Sequence, residues 1–297
     1  MKLTKEWITG FVDGDGCFSI VKKQPNSQLV YYGFYVSQDQ KSVDVLYALK
    51  KEFGCGSVHR AGGTMYNYAI TNDEHVRDKI IPHFIQYPLQ TEKRTVFYHW
   101  ANSFWEYMKE RGKTPGAPLP SLEKGYRLTA GWFRGFVDAE GCFYVSIVGK
   151  QVMPRFVLGA RAGEKELIQQ CYALIQCGTM HTRKKGGFET LQVSSIEQLE
   201  NKLIPFFETR GSAVLLRTRK RLAFQKFRKI VRFMIEKRHL SPDGMEKIRK
   251  YAAALSQANR PIKLANISVV EDIVQTDWKQ SELSPLVTTL LSPKGDH

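Results

Sequence analysis

Cysteine is scarce in this 297-residue chain: there are five, an odd number with no C-x-x-C pair. That argues against a disulfide framework and against a zinc knuckle. No uncharged apolar run approaches the roughly 18 residues of a membrane span. The opening MKLTKEWITGFVDGDG reaches acidic residues too early for a secretory signal and is too acidic for a typical transit peptide. Acid is also scarce where base is abundant, as the charge distribution below makes plain. What is present is 42% hydrophobic and 12% aromatic residues, enough to bury a real core. The composition predicts a soluble protein of a reducing compartment.

Forty-four Lys and Arg against 29 Asp and Glu leave a net charge of +15. Residues 113–262 carry the surplus, with 27 basic and 12 acidic residues, whereas residues 1–112 hold 14 and 12. Between Arg217 and Arg238 ten basic residues, among them Arg219, Lys220, Lys226 and Lys229, meet Glu236 alone. Leu222, Phe224, Phe227, Ile230, Val231 and Met234 recur there at helical spacing, which predicts a helix with one buried face. So lopsided a segment cannot lace itself with ion pairs, and it predicts contact with the phosphates of a polyanion. Such contact supplies affinity and position, not sequence readout.

The chain repeats itself. LTKEWITGFVDGDGCF (3–18) returns as LTAGWFRGFVDAEGCF (128–143), FGCGSVH (53–59) as QCGTMH (176–181), and IIPHF (80–84) as LIPFF (203–207). This is a fused duplication. Each copy reads as a helix, two strands (Cys17–Lys23 and Val30–Ser37, or Cys142–Val148 and Phe156–Gly159), a helix, two short strands, a helix around Asp73–Ile81 or Ile196–Leu203, and a final long helix. The fold class is therefore α+β, two pseudo-symmetric αββαββα halves spanning 1–111 and 123–262. GKTPGAPLPSL (112–122) is the linker, and residues 263–297 form a tail without counterpart.

The first helix of each copy carries small residues one turn apart: Gly10 and Gly14, then Gly131, Gly135 and Ala139. That spacing predicts close packing of the two helices about a pseudo-two-fold axis, which makes the chain a monomer. Asp15 and Glu140 end these helices and would meet at the axis. Asp13 and Asp138 also repeat, so either acid of each pair could serve; those two point to another side of the helix and read as structural. A carboxylate at a helix C-terminus is opposed by the helix dipole and by its twin. A divalent cation is the natural compensation, and oxygen ligands suit magnesium or calcium.

ITGFVDGDG (8–16) and FRGFVDAEG (133–141) resemble the two signature motifs of the LAGLIDADG homing endonucleases, over residues 1 to about 262. The resemblance implies two four-stranded antiparallel sheets forming a saddle over double-stranded DNA. It implies a metal-dependent staggered double-strand break at a long asymmetric site, as in intron or intein homing. The metal ligands would be Asp15 and Glu140 with the carbonyls of Gly14 and Ala139. The cofactor would be Mg2+, with Ca2+ supporting binding but little cleavage. Gln38 fits the family's glutamine at the end of the second strand, and Lys93, after a Y-P-L element, fits its lysine. In the second half the glutamine slot holds Ala160, and Lys220 is the counterpart of Lys93. An organelle would be the location.

Alternation along the strands assigns their faces. Phe18, Ile20, Phe143, Val145 and Ile147 point to the helices. Ser19, Val21, Lys23, Tyr31, Tyr35, Ser37, His59 and Asn67 point toward DNA. From the second half Tyr144, Ser146, Arg155, His181, Arg183, Thr190 and Gln192 join them, with Arg219, Lys226 and Lys229 as phosphate contacts. Arg and Gln can read base edges bidentately. Two other activities fit the same sequence: a maturase that binds host intron RNA, and a DNA-binding protein that has lost cleavage, against which the intact Asp15 and Glu140 argue.

Overall fold

Thr4 and Thr129 start the two halves in the same way. Each sits in extended backbone, and its hydroxyl accepts the N–H of the tryptophan three residues on, Trp7 or Trp132. Helices α1 (Lys5–Asp15) and α6 (Ala130–Glu140) follow, each 11 residues long. The computed structural model describes residues 2–22, 30–114, 116–119, 128–161, 163–182, 189–208 and 215–259. The tail 263–297, parts of the linker, Lys23 and Arg183 lie outside these described residues.

From α1 the chain runs into β1 (Gly16–Lys22), β2 (Val30–Asp39), α2 (Val43–Phe53), β3 (Ser57–Gly62) and β4 (Met65–Ile70). A broken helix follows, α3 (Asp73–His75) and α4 (Ile81–Gln86) joined by a π-turn, and then the long α5 (Lys93–Glu110). The second half repeats the order after α6: β5 (Cys142–Val148), β6 (Gln151–Ala160), α7 (Lys165–Ile175), β7 (Thr179–Thr182) and β8 (Glu189–Val193). It continues through the short α8 (Ile196–Gln198) and α9 (Ile204–Phe206) to α10 (Lys220–Ile235). Both sheets are antiparallel, with orders β1-β2-β4-β3 and β5-β6-β8-β7. The architecture is the α+β duplication that the sequence predicts. Both halves fall within one compact unit, Met1–Pro261.

Equivalent aromatic residues build equivalent cores. Phe18 packs on Phe97 and Trp100 with ring centroids 5.2 Å apart in each pair, and Phe143 on Phe224 and Phe227 at 5.3 Å. In each half, therefore, the first strand is pinned to the last long helix of its repeat by two rings. The helices cover one face of each sheet and leave the other open. Ile20 lies on the helix side yet is 39% exposed, because it stands near the end of β1.

Three details differ from the sequence reading. β6 begins at Gln151, five residues before Phe156, and it includes Pro154. The proline is tolerated because β6 pairs there with β5 alone, β8 joining only from Phe156 onward. The helix expected as one piece over 73–81 is broken by the π-turn. A further helix, α11 (Pro242–Asn259), packs on α10 and has no counterpart in the first half. Its start was legible in Ser241-Pro242-Asp243, where the Ser241 hydroxyl accepts the Gly244 N–H. Among the described residues no helix is long and apolar enough to cross a membrane.

The pseudo-symmetry rests on the crossing of α1 and α6. A Cβ built on Gly10 would stand 2.0 Å from the carbonyl oxygen of Trp132, and one on Gly135 would stand 2.0 Å from that of Trp7. The obstruction is backbone on both sides, so no rotamer change relieves it. Gly10→Ala and Gly135→Ala should each lower stability by at least about 2 kcal/mol, as measured by denaturant unfolding. A variant within experimental error of the parent would refute the close crossing.

Candidate active site at the helix crossing

The crossing delivers the last residues of α1 and α6 to one point. Gly14 approaches Ala139 so closely that an added Cβ would lie 2.2 Å from that of Ala139 and 3.4 Å from a carboxyl oxygen of Glu140. Asp15 and Glu140 thus become electrostatic neighbours. Burial raises the Asp15 carboxyl to about 6, Glu140 adds to the rise, and Lys220, Gln38 and Lys93 oppose it. Gln38, the penultimate residue of β2, donates its side-chain amide to Asp15 Oδ2 at 2.7 Å.

Asp13 and Asp138 are structural, and they tie the halves together crosswise. Asp13 accepts from the indole of Trp132 (2.7 Å), the hydroxyl of Thr91 (2.7 Å) and the backbone N–H groups of Gln90 and Thr91. Asp138 accepts from the indole of Trp7 (3.0 Å), the hydroxyl of Thr218 (2.7 Å) and the N–H groups of Arg217 and Thr218. Burial pushes both carboxyls upward in pKa and these donors pull them back. Each acid anchors the turn that opens α5 or α10, where Thr91 and Thr218 accept the N–H groups of Lys93 and Lys220.

The two lysines are thereby aimed at the motif helices. Lys93 Nζ donates to the carbonyls of Val12 (2.9 Å), Gly14 (3.0 Å) and Gly16; Lys220 Nζ donates to those of Val137 (3.2 Å) and Ala139. This confirms Lys220 as the spatial counterpart of Lys93. Two ammonium groups thus already supply positive charge at the helix ends, beside any cation. The carbonyls of Gly14 and Ala139, expected as metal ligands, each accept from one of those ammoniums. Burial lowers both lysines in pKa, while Asp13 and Asp15 favour charged Lys93 and Asp15, Asp138 and Glu140 favour charged Lys220.

Past the lysines the symmetry ends. A cleft of about 220 Å³ opens beside Glu140, lined by Gly14, Lys93, Glu92, Ala160, Arg161 and Glu164 among others. Ala160 is the residue that matches Gln38. Glu164 accepts the N–H of Glu92 across the halves at 2.8 Å, as Ser42 accepts that of Arg219 at 3.0 Å. Asp39 faces Arg219 at 3.8 Å, whereas the corresponding residues on the other side are Arg161 and Glu92.

The profile of the LAGLIDADG endonuclease family matches residues 8–104 and 133–231, which include the C-terminal parts of α1 and α6 with both acids. The chain belongs to that family. A Neurospora crassa protein described as probable intron-encoded endonuclease 4 is 26% identical over 264 residues, 86% of this chain and 45% of its own length. The chain spans about half the length of the curated relatives it matches. Among solved structures, the meganuclease I-SmaMI bound to uncleavable DNA with a TTGT central four aligns with a TM-score of 0.75 and 25% identity, covering 85% of this chain and 97% of that one. I-SmaMI bound to an uncleaved DNA target in the presence of calcium ions aligns at 0.74 and 23%, covering 86% and 99%.

In this LAGLIDADG chain the strand register gathers the predicted groove residues on the sheet faces away from the helices. Ser37, Asn67 and His59 form one row across β2, β4 and β3, and Ser37 donates to Asn67 at 2.7 Å. Ser19 and Val21 lie opposite Gly33 and Tyr31, and Tyr35 faces Cys17. In the second sheet Tyr144 pairs with Arg155 and Ser146 with Met153, while Gln192 and His181 follow on β8 and β7. Thr190 shares that face but is buried, and its hydroxyl donates to the His181 carbonyl, so the sheet itself uses it. Residues that alternation also places there, and that the sequence reading left out, are Gln151 and Met153 of the longer β6 and Met180's neighbour Thr179.

The basic helix has more partners than its own charge count suggests. α10 packs on the helix side of the second sheet, burying Phe224, Phe227, Ile230 and Val231. Arg228 and Arg232 pair with Glu208, Arg232 also with Glu200, and Arg219 with Asp39. Lys226 and Lys229 lie over the Tyr251 ring of α11, 5.8 and 5.4 Å from its centroid. The acids that answer this helix come from elsewhere in the chain, which a window of 22 residues does not reveal. Lys226 and Lys229 thus lie against α11, while Arg219 stands at the end of β2 beside Asp39.

The Asp15 carboxyl sets a pH dependence. Its folded value of about 6 lies above the ordinary 3.8, so the folded chain holds the extra proton between those values. This group therefore favours folding at low pH, and its contribution is lost as pH rises through that window. In chelator, Asp15→Asn should be more stable than the parent by about 1–3 kcal/mol at pH 7, and the difference should close toward pH 4. Unfolding curves at the two pH values check this; a difference independent of pH would contradict it.

Proposed function

We propose that this chain is a site-specific DNA endonuclease that makes a staggered double-strand break at a long asymmetric target, the homing reaction of an intron or intein. The observation that carries the proposal is the delivery of Asp15 and Glu140, one from each half, to a single point between two open sheet faces. One chain supplies both halves, so it acts as a monomer on an asymmetric site. Family membership supports the reaction class, and the DNA-bound structures of I-SmaMI support DNA as the ligand.

The donor set fits a divalent cation. Among the described residues no third His, Cys, Asp or Glu joins the two acids, which is too few for an all-protein cage. It suits an ion such as Mg2+ that keeps several waters and takes phosphate oxygens. Asp15 and Glu140 would hold it, and when bound it would lower the pKa of a water and relieve charge at the phosphate. The chain's own residues do the rest. Gln38 fixes the Asp15 carboxylate; Lys93 and Lys220, held by backbone carbonyls and anchored through Thr91 and Thr218, keep positive charge where the phosphates would lie. The open rows of Ser19, Tyr31, Tyr35, Asn67, His59, Tyr144, Ser146, Arg155, His181 and Gln192 would meet base edges and phosphates in the major groove.

Activity on intron RNA has less support than the composition of α10 suggests, since Arg219, Arg228 and Arg232 are paired with acids and Lys226 and Lys229 stack on Tyr251.

Selection from a plasmid library of random inserts, in magnesium, would yield the target. On that target Asp15→Asn and Glu140→Gln should bind as tightly as the parent and lose cleavage by at least about a hundredfold. Calcium should support binding with little cutting. Either variant cutting both strands at the parental rate would sink the proposal. Lys226→Gln with Lys229→Gln should weaken binding by less than about threefold, measured by fluorescence anisotropy; a loss of tenfold or more would return these lysines to the interface.

A further inference from the structure

The far ends of the two sheets are not built alike. β5 leaves the helix crossing at Cys142 and ends at Val148, about 20 Å away at the usual rise of a strand. There it turns back into β6 through two residues, Gly149 and Lys150, with Gly149 in left-handed backbone at φ 58°. α11 lies behind this hairpin end. Its Ile248 is buried with Val152 of β6 and Ile230 of α10, and Val145 and Ile147 of β5 pack against them. From the next position Arg249 donates a guanidinium N–H to the Gly149 carbonyl at 2.9 Å. In the first half β1 and β2 are joined by the longer segment 23–29, which lies outside the described residues, and among the described residues α11 has no match. Ile20, the match of Val145, is accordingly 39% exposed.

The open side of the braced hairpin carries Ser146 and Val148 of β5 and Gln151 and Met153 of β6. A side chain discriminates between base edges only if its strand is held in place, because hydrogen bonds tolerate little error in distance and angle. A two-residue turn, an apolar backing and a bond to the turn carbonyl fix this strand end before DNA arrives. Little ordering then remains to be done on binding.

We propose that α11 is a specificity element, in which Arg249 is a positioning residue that acts through the β5–β6 turn. It holds Gln151 and Met153 against the base pairs at the outer end of the second half's share of the target. The inference rests on the endonuclease reading above. At about 3.4 Å per base pair, those pairs lie roughly six steps from the ones beneath the crossing. Arg249 meets the turn backbone and reads no base itself.

The test measures binding, by fluorescence anisotropy in calcium, of the selected target and of each of its single base-pair substitutions. The double variant Gln151→Ala, Met153→Ala marks which pairs the hairpin reads, and the parent should discriminate there by about tenfold. Arg249→Ala should reduce discrimination at the same pairs to about threefold or less and leave all other positions unchanged. Arg249→Lys, which keeps a donor, should retain part of it. Without DNA, amide exchange over residues 148–152 should quicken at least about threefold in Arg249→Ala. A loss spread evenly over the target would put Arg249 on a phosphate and overturn the inference. Unchanged discrimination, relaxation at other pairs, or exchange equal to the parent's would overturn it too. A parent that selects no target would instead overturn the endonuclease reading, and the exchange measurement distinguishes that failure from the absence of a brace.

Discussion

Everything in the candidate site depends on two helices that touch through bare backbone. With Gly10 over the Trp132 carbonyl and Gly135 over that of Trp7, α1 and α6 meet without side chains between them. That contact brings the residues that end the helices into one electrostatic neighbourhood. The cost of placing two anions at helix C-termini is offset locally. Lysines from the next long helix of each repeat cap the same carbonyls whose dipoles oppose the acids. The crossing also explains why each buried aspartate is completed by an indole of the opposite half: at this separation the nearest donor lies across the axis.

Much of this was legible in the sequence because the duplication supplies its own control. Glycine spacing, acids and flanking strands occur twice, so a feature with no role in one copy would have little reason to recur at the same point in the other. The faces of the strands followed from alternation, and the register adds that Ser37, Asn67 and His59 share one row. The pairing of Lys93 with Lys220 was legible despite the loss of Y-P-L in the second half. Its physical basis is the Thr-x-Lys turn, in which Thr91 and Thr218 bond to Asp13 and Asp138. That turn is present in the sequence, but its meaning needs the distant aspartates.

What was not legible depends on contacts between distant segments. The helix from Lys220 carries a basic face whose partners, Glu200, Glu208, Asp39 and Tyr251, are contributed by four other segments. Charge counted in a window overstated its freedom. The same limit applies to the lysine–carbonyl contacts. Backbone oxygen is invisible to composition, yet here it decides where two ammonium groups rest. Pro154 misplaced the start of β6 for a related reason, since its tolerance depends on which neighbour pairs at that position.

The exchange of charges around the axis bears on how the duplicated chain keeps its own halves together. Asp39 and Arg219 stand opposed on one side; their counterparts Arg161 and Glu92 lie on the other. Sign is reversed between the repeats. Two first halves joined by the same helix crossing would set Asp39 against Glu92, and two second halves would set Arg161 against Arg219. Each unlike pair in the native arrangement becomes a like pair in the swapped one. The glycine surfaces of α1 and α6 are alike enough to accept a copy of themselves, so shape alone gives little discrimination between neighbours. Polarity supplies it, and with it a means for one chain to close on itself even when many identical chains are folding nearby.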